Sequence, residues 1–177
     1  LIADTIERLG GYAVPPGEVV VTPGAMNGLF SLYLALLEPG DEVLLPTPGY
    51  PNMDEMVRLL GGVAVFYELR PENGYLPDPA DVEALVTSRT KAIFVNTPSN
   101  PTGAVFPREL VEELLAVAAR HGFWLISDEV YDEMILDEGL AHVGLVLDHQ
   151  DPASARRALA HRLRPPWPAA ACGKRTP

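Results

Sequence analysis

Two residues near position 130 have side chains that could bind a ring-shaped ligand. Asp128 directly follows the apolar run 123–127, and Tyr131 comes three residues later. A carboxylate at the end of a buried strand needs a partner, because burying an unpaired charge is costly. With an ordinary pKa it is ionised at neutral pH and can hold a cationic ring nitrogen. The alternatives are a helix cap or a surface acid for Asp128 and a packing aromatic for Tyr131.

The segment 96–103, with the sequence NTPSNPTG, combines asparagine with proline twice. Such pairs favour an extended, sharply turned backbone and leave the Asn100 amide free to donate sideways. Tyr50 lies between Gly49 and Pro51, where its ring could stack on a flat ligand or simply pack in the turn. These residues add an amide and an aromatic ring to the candidate site.

A third group, formed by Gly24, Ala25 and Met26, follows a predicted strand and begins a predicted helix. The free amides of a first helical turn bind phosphate, and the small side chains of Gly24 and Ala25 leave room for an anion. A plain turn is an equally good interpretation of this segment. It lacks the glycine patterns of dinucleotide and nucleoside triphosphate sites.

The elements that position these groups alternate along the chain. The apolar patterns predict strands over 18–22, 42–46, 63–69, 91–96 and 123–127, and helices over about 26–37, 51–60, 79–86 and 107–122. This alternation favours an α/β fold with three layers, α/β/α, around a mostly parallel sheet. Ligands in such sheets bind at the carboxyl ends of the strands, where all three groups would lie.

Composition limits the classes of partner. The net charge of −11 argues against nucleic acids and anionic membranes, which attract clustered Lys and Arg, so we expect a small-molecule ligand. The longest run without charged or turn residues is about ten residues, half of what a membrane-spanning helix needs. The first residues lack the pattern of a signal peptide. A single cysteine, Cys172, fits a cytoplasmic location.

The composition changes near residue 140. Residues 1–139 contain 22 acidic and 7 basic residues, whereas residues 140–177 contain 2 acidic and 6 basic residues. Ala, Arg, Pro and Gly account for 20 of the 38 residues in the second part. We therefore expect 140–177 to be a poorly ordered tail with at most one short helix, because proline at this density disrupts helices and strands.

Four segments, taken together, resemble the class I/II aminotransferases, which are fold type I enzymes that use pyridoxal 5′-phosphate (PLP). In chain order they are TPGAMNG, PGDEVLLPTPGYP, VNTPSNPTGAVF and LISDEVYDEM. The resemblance covers residues 1–139 and implies an incomplete large domain of that fold. It also implies cofactor-binding roles for seven residues, which are Gly24, Ala25, Met26, Tyr50, Asn100, Asp128 and Tyr131.

In the family that the chain resembles, the amides at the helix start bind the cofactor phosphate and an aromatic residue stacks on the pyridine ring. Tyr50 would be that aromatic residue. Asn100 and Tyr131 would hydrogen-bond the phenolic oxygen of the ring, and Asp128 would pair with its protonated nitrogen. No metal is implied.

The resemblance also implies a lysine that forms a Schiff base with the cofactor, roughly thirty to forty residues after Asp128 in a Ser-x-x-Lys context. The only lysines are Lys91 and Lys174, and neither has this context. We therefore expect no catalytic residue here, and a fragment that is inactive alone. We also expect that the parent protein begins before Leu1, and hypothesise that the tail is read out of frame. A genuine folded tail is the alternative.

The parent enzyme would move an amino group between an amino acid and a 2-oxo acid, and the resemblance implies a homodimer. Three alternatives stay open. They are a PLP-dependent lyase of the same fold, the ligand-sensing half of a transcription regulator, and a noncatalytic protein that still binds the cofactor. The sequence leaves the amino acid substrate unspecified.

Overall fold

The computed structural model of the chain describes residues 3–4, 13–131 and 146–147. Nearly all of the predicted tail 140–177, including Lys174 and Cys172, lies outside the described residues. So does the predicted domain boundary at 139.

Four parallel strands form the centre of the molecule. They are β1 (Glu42–Thr47), β2 (Val63–Glu68), β3 (Thr90–Asn96) and β4 (Trp124–Asp128). The two-residue strand β5 (Val146–Leu147) pairs with β4 in the antiparallel direction. The sheet order is β2-β1-β3-β4-β5, so the chain crosses β1 to place β3 beside it. The mostly parallel sheet that the sequence predicts is confirmed.

Helices cover both faces of this sheet. They are α1 (Ala25–Leu36), α2 (Asn52–Leu59), α3 (Pro79–Ala84) and α4 (Arg108–His121). The core on one face contains residues of α1 and α2, which are Tyr33, Met53 and Val57, packed with Val43, Leu45, Ala92, Phe94 and Ile126. The core on the other face includes Val82 of α3 and Val111, Leu114, Val117 and Ala118 of α4. The three-layer α/β/α fold is therefore confirmed. None of the helices described by the structure is long and apolar enough to span a membrane.

The predicted strand over 18–22 is wrong. A short 3-10 helix covers Pro16–Glu18, and residues 19–22 have no regular secondary structure. Val20 and Val21 are 82% and 74% exposed, although the sequence predicts a buried strand here. A β-branched run becomes a strand only when a neighbour supplies hydrogen bonds, and none of the described strands pairs with this run.

The opposite end of the sheet contains a buried carboxylate. The Glu42 side chain, at the start of β1, is only 5% exposed and accepts hydrogen bonds from Thr87 Oγ1 and the Arg89 guanidinium. Burial by itself raises the pKa of Glu42, but these hydrogen bonds outweigh burial and lower that pKa below its usual value. Glu42 is therefore ionised and paired in the folded protein.

Candidate functional site

The carboxyl ends of β3 and β4 lie side by side and contain the polar residues of the candidate site. Asn96 and Asp128 are register partners in this parallel pair. Asn96 Nδ2 donates to the backbone oxygen of Asp128 at 3.2 Å. The backbone N–H of Thr97 donates to the same oxygen at 3.1 Å. These two bonds attach the loop after β3 to the end of β4.

Asn96 also orders the loop that contains Asn100. Its Oδ1 accepts a hydrogen bond from the Asn100 backbone N–H at 2.7 Å. Within the loop, the Gly103 N–H donates to the Ser99 carbonyl at 2.7 Å, and the Ser99 N–H donates to the Ala104 carbonyl at 2.8 Å. Asn96 is only 5% exposed, so its polar atoms need hydrogen-bond partners inside the protein. Both the amide nitrogen and the amide oxygen of its side chain have one.

The folded chain brings Asn100 and Tyr131 together. Asn100 Nδ2 donates to the Tyr131 hydroxyl at 3.4 Å, although the two residues are 31 positions apart. Both residues are half-buried, so the pair lies at the border between the protein interior and solvent. An amide donor and a phenol hydroxyl at this distance can both bind one oxygen atom of a ligand.

Asp128 ends β4 next to this pair. The residue is half-buried, and its Oδ1 accepts a hydrogen bond from the Val130 backbone N–H at 3.1 Å. Burial raises the pKa of Asp128, and the Val130 N–H opposes this effect only in part. A cation bound beside the carboxylate would oppose this shift and favour the ionised form. The hydrogen bond from Val130 closes a local turn of the kind that the helix-cap interpretation of Asp128 predicts. It uses one of the two carboxylate oxygens.

Tyr50 lies in the turn between β1 and α2. The residue is 41% exposed, and Asn52 Nδ2 donates to its hydroxyl at 3.2 Å. In the described part of the chain, Tyr50 has no hydrogen bond to Asp128, Asn100 or Tyr131. Because the ring is not buried, it can contact a ligand, and the stacking role stays a prediction.

The start of α1 has the properties of an anion site. Gly24 has a φ of 93°, in the left-handed region that favours glycine, and no side chain caps the helix. A Cβ built at Gly24 would meet no atom within 4 Å. The amides of Ala25 and Met26 belong to the uncapped first turn, where backbone N–H groups have no partner inside the helix and can bind phosphate. This group follows an irregular segment and not a strand, so its predicted place at a strand end is wrong.

Lys91 is far from these residues. It is the second residue of β3, whereas Asn96 ends the same strand, and five strand steps correspond to roughly 16 Å. The Lys91 Nζ lies 4.0 Å from Asp41 Oδ2, at the amino ends of the parallel strands. Lys174 is outside the described residues. No lysine in the described ranges therefore reaches Asp128.

The sequence patterns do not single out Asn96 and Tyr33. Asn96 is only the first residue of the segment 96–103, and Tyr33 lies within the helix predicted over about 26–37. The available signal was polarity at a buried position. An asparagine that ends an apolar strand and a tyrosine within an apolar helical face each place a polar group where it needs a partner.

The chain is similar to known proteins over most of its length. The family model described as "Aminotransferase class I and II" matches residues 2–156. The aspartate/prephenate aminotransferase of Thermus thermophilus is 46% identical over 136 residues, which cover 77% of this chain and 35% of that protein. The arginine–pyruvate transaminase of Pseudomonas aeruginosa is 38% identical over 153 residues, covering 86% of this chain and 37% of that protein.

Solved structures have the same fold. The structure of Thermus thermophilus aspartate aminotransferase with maleate superposes with a TM-score of 0.77 at 44% identity, covering 80% of this chain and 37% of that chain. The alanine aminotransferase of Pyrococcus furiosus superposes with a TM-score of 0.77 at 38% identity, covering 80% and 36%. The chain therefore spans about a third of the length of the relatives it matches.

Proposed function

This chain belongs to the class I and II aminotransferases, and from this membership we propose that it forms cofactor-binding structure of an enzyme that transfers an amino group between an amino acid and a 2-oxo acid. PLP is the cofactor of the proposal, and when bound it supplies a ring that accepts the electrons left after the substrate loses its α-proton. The observation that carries the proposal is the Asn100–Tyr131 pair at 3.4 Å beside Asp128.

The residues present fit this cofactor at its ring. Asn100 and Tyr131, which lie within 3.4 Å of each other, would hold one ring oxygen between an amide and a hydroxyl. Asp128 would hold the proton on the ring nitrogen. Burial raises the pKa of Asp128, and the positive charge of a protonated ring would oppose this shift and favour the ionised carboxylate. Charge-assisted hydrogen bonds of this kind are about twice as strong as neutral ones.

The residues also fit the remaining parts of the cofactor. The uncapped amides of Ala25 and Met26 would bind the phosphate, and the open space at Gly24 leaves that helix end accessible. Tyr50 would cover one face of the ring and exclude water from it. These assignments are part of the proposal, and the substitution of Asp128 described below tests the one at the ring nitrogen.

The 177 residues contain only two lysines, so the proposal separates cofactor binding from catalysis. We propose that this chain binds PLP without a specific covalent bond and does not turn over substrates by itself. Transfer of the amino group belongs to the complete enzyme, where a lysine would hold the cofactor and move the proton.

The relatives reported above are named as amino-group transferases, which favours an aminotransferase over a carbon–sulfur lyase or the ligand-sensing half of a transcription regulator. The complete enzyme is proposed to be cytoplasmic and homodimeric, and light scattering of that protein would test whether it is a dimer.

The test is a titration of the 177-residue chain with PLP, followed by absorbance and by quenching of tryptophan fluorescence. We expect saturable binding that gel filtration reverses. The substitution Asp128→Asn retains an oxygen for the Val130 N–H but removes the charge, and we expect PLP affinity to fall about tenfold to a hundredfold, the equivalent of roughly 1.5–3 kcal/mol for a hydrogen bond to a charged group.

The matched control is Asp81→Asn. Asp81 lies on α3, on the other face of the sheet, where it pairs with Arg70 at 3.1 Å. The substitution Asp81→Asn should leave PLP affinity unchanged. Borohydride treatment followed by mass spectrometry distinguishes specific binding from random reaction of PLP with Lys91 or Lys174. Equal PLP affinity in the two variants would refute the assignment of Asp128.

A further inference from the structure

Tyr33 places a phenol hydroxyl in the apolar core between the sheet and its helices. The residue is 0% exposed, and among the described residues its hydroxyl has no hydrogen-bond partner. It packs in one cluster with Met53, Phe94 and Ile126. Phenylalanine would fill the same volume without a buried polar atom, and leaving a buried hydroxyl unpaired is costly. The hydroxyl therefore requires an acceptor.

The pleat of β4 identifies the side of the sheet on which that acceptor lies. Ile126 belongs to the Tyr33 cluster, and side chains two positions apart on a strand share a face, so Asp128 lies on the Tyr33 face. Asn96 lies on this face too, but both polar ends of its side chain are already hydrogen-bonded. The hydroxyl of Tyr67, the other fully buried tyrosine among the described residues, donates to the Phe94 carbonyl at 2.8 Å.

One carboxylate oxygen of Asp128 can accept a further hydrogen bond. Its Oδ1 accepts from the Val130 N–H, whereas Oδ2 has no donor in the part of the chain that the structure describes. The two groups also interact electrostatically. Burial raises the pKa of the Tyr33 phenol well above its usual value, and the negative charge of Asp128 raises that pKa further. The negative charge of an ionised Asp128 therefore favours the protonated hydroxyl of Tyr33, which is the form that donates a hydrogen bond.

We propose that Tyr33 is a positioning residue for Asp128: its hydroxyl donates to the second carboxylate oxygen when that carboxylate is ionised, and so holds the carboxylate in place for the ring nitrogen of the cofactor. The structure holds the two groups without a direct hydrogen bond. The part of the inference that concerns the cofactor rests on the proposed function. The coupling of Tyr33 to Asp128 does not, because it is measurable without PLP.

The test measures the pKa of Asp128 by carbon NMR of the side-chain carboxyl groups, in the wild-type chain and in Tyr33→Phe. The Asp128→Asn spectrum assigns the signal. A hydrogen bond to the ionised form lowers a carboxyl pKa, so its removal should raise the pKa of Asp128 by about one unit, a tenfold change in proton affinity. The matched control is Tyr67→Phe, which removes another buried hydroxyl and should leave the pKa of Asp128 unchanged.

A pKa of Asp128 that moves by less than about 0.3 units in Tyr33→Phe, or equally in both variants, would overturn the inference. If Tyr33→Phe does not fold, 3-fluorotyrosine at position 33 replaces it. The fluorinated phenol is the stronger donor, so the pKa of Asp128 should fall, and an unchanged pKa would again overturn the inference.

PLP titrations of the same proteins separate the two proposals. In Tyr33→Phe the loss of PLP affinity should be greater at pH 5 than at pH 8, because more of the variant's Asp128 is protonated at the lower pH. A raised pKa without PLP binding by either protein supports the role of Tyr33 and contradicts the proposed function. PLP binding with an unchanged pKa contradicts only the role of Tyr33.

Discussion

Replacing Asn96 by alanine removes the side chain that joins the loop 97–103 to the end of β4. Two hydrogen bonds disappear. One is the bond from the Asn100 N–H to Asn96 Oδ1 at 2.7 Å, and the other runs from Asn96 Nδ2 to the Asp128 carbonyl at 3.2 Å. The Asp128 carbonyl keeps its bond from the Thr97 N–H, but the Asn100 N–H loses its acceptor.

The magnitude follows from this asymmetry. A buried donor left without a partner costs roughly 1–3 kcal/mol, whereas losing one of two bonds to a carbonyl costs roughly 0.5–1.5 kcal/mol. We therefore expect Asn96→Ala to lower the free energy of unfolding by about 2–4 kcal/mol. That is a large part of the 5–15 kcal/mol typical of a domain. PLP affinity should fall too, because Asn100 is no longer held beside Tyr131.

Urea unfolding followed by circular dichroism measures this loss as a shift of the midpoint at constant slope. The control is Asn73→Ala, since Asn73 is an exposed asparagine at the end of the short 3-10 helix Pro71–Asn73 and should change stability by less than about 0.5 kcal/mol. A loss below about 1 kcal/mol in Asn96→Ala, or one equal to that of the control, would show that the two bonds do not hold the loop.

Two further predictions concern the scaffold. Glu42→Gln should destabilise the chain by roughly 1–3 kcal/mol at pH 7, because Arg89 loses a charged partner. The folded pKa of Glu42 is lowered, so its contribution is present above the unfolded pKa of about 4.3 and disappears as the pH falls through the folded value. Unfolding curves of the two proteins should therefore converge in acid, and a constant gap would contradict this reasoning. Leu114→Ala, at a 0% exposed position, should cost about 2–5 kcal/mol in thermal or urea unfolding, whereas Leu59→Ala, at 76% exposure, should cost less than about 0.5 kcal/mol.

Local sequence patterns predict most of the described elements. The helix expected over 107–122 is observed as Arg108–His121, and the strand expected over 42–46 is observed as Glu42–Thr47. These predictions succeed because the spacing of apolar residues reports which face of an element is buried. The run Val19–Val21 has the same apolar character and yet remains irregular and exposed at Val20 and Val21. Whether this run forms a strand depends on a neighbouring strand to pair with, and a local sequence pattern carries no information about that neighbour.

The candidate site also combines features that local sequence predicts with features that depend on contacts between distant segments. Residue type and position after a strand make Asp128 a candidate ligand-binding acid and mark the loop 96–103 as unusual. The distance between Asn100 and Tyr131 and the two bonds of Asn96 depend on how β3 and β4 pair. The Tyr33 hydroxyl is buried and has no hydrogen-bond partner within the described part of the chain, which becomes apparent only once α1 is packed against the sheet.

The sequence by itself determined the α/β class, the order of the elements after residue 24 and the candidate polar residues of the site, because these depend on periodicity and residue type within short segments. The tertiary structure decided that β1 lies between β2 and β3, and that Asn96 stands opposite Asp128. Strand neighbours and register depend on hydrogen bonds and side-chain packing between segments that are distant in the chain. These contacts determine whether the predicted polar groups meet at one edge of the sheet.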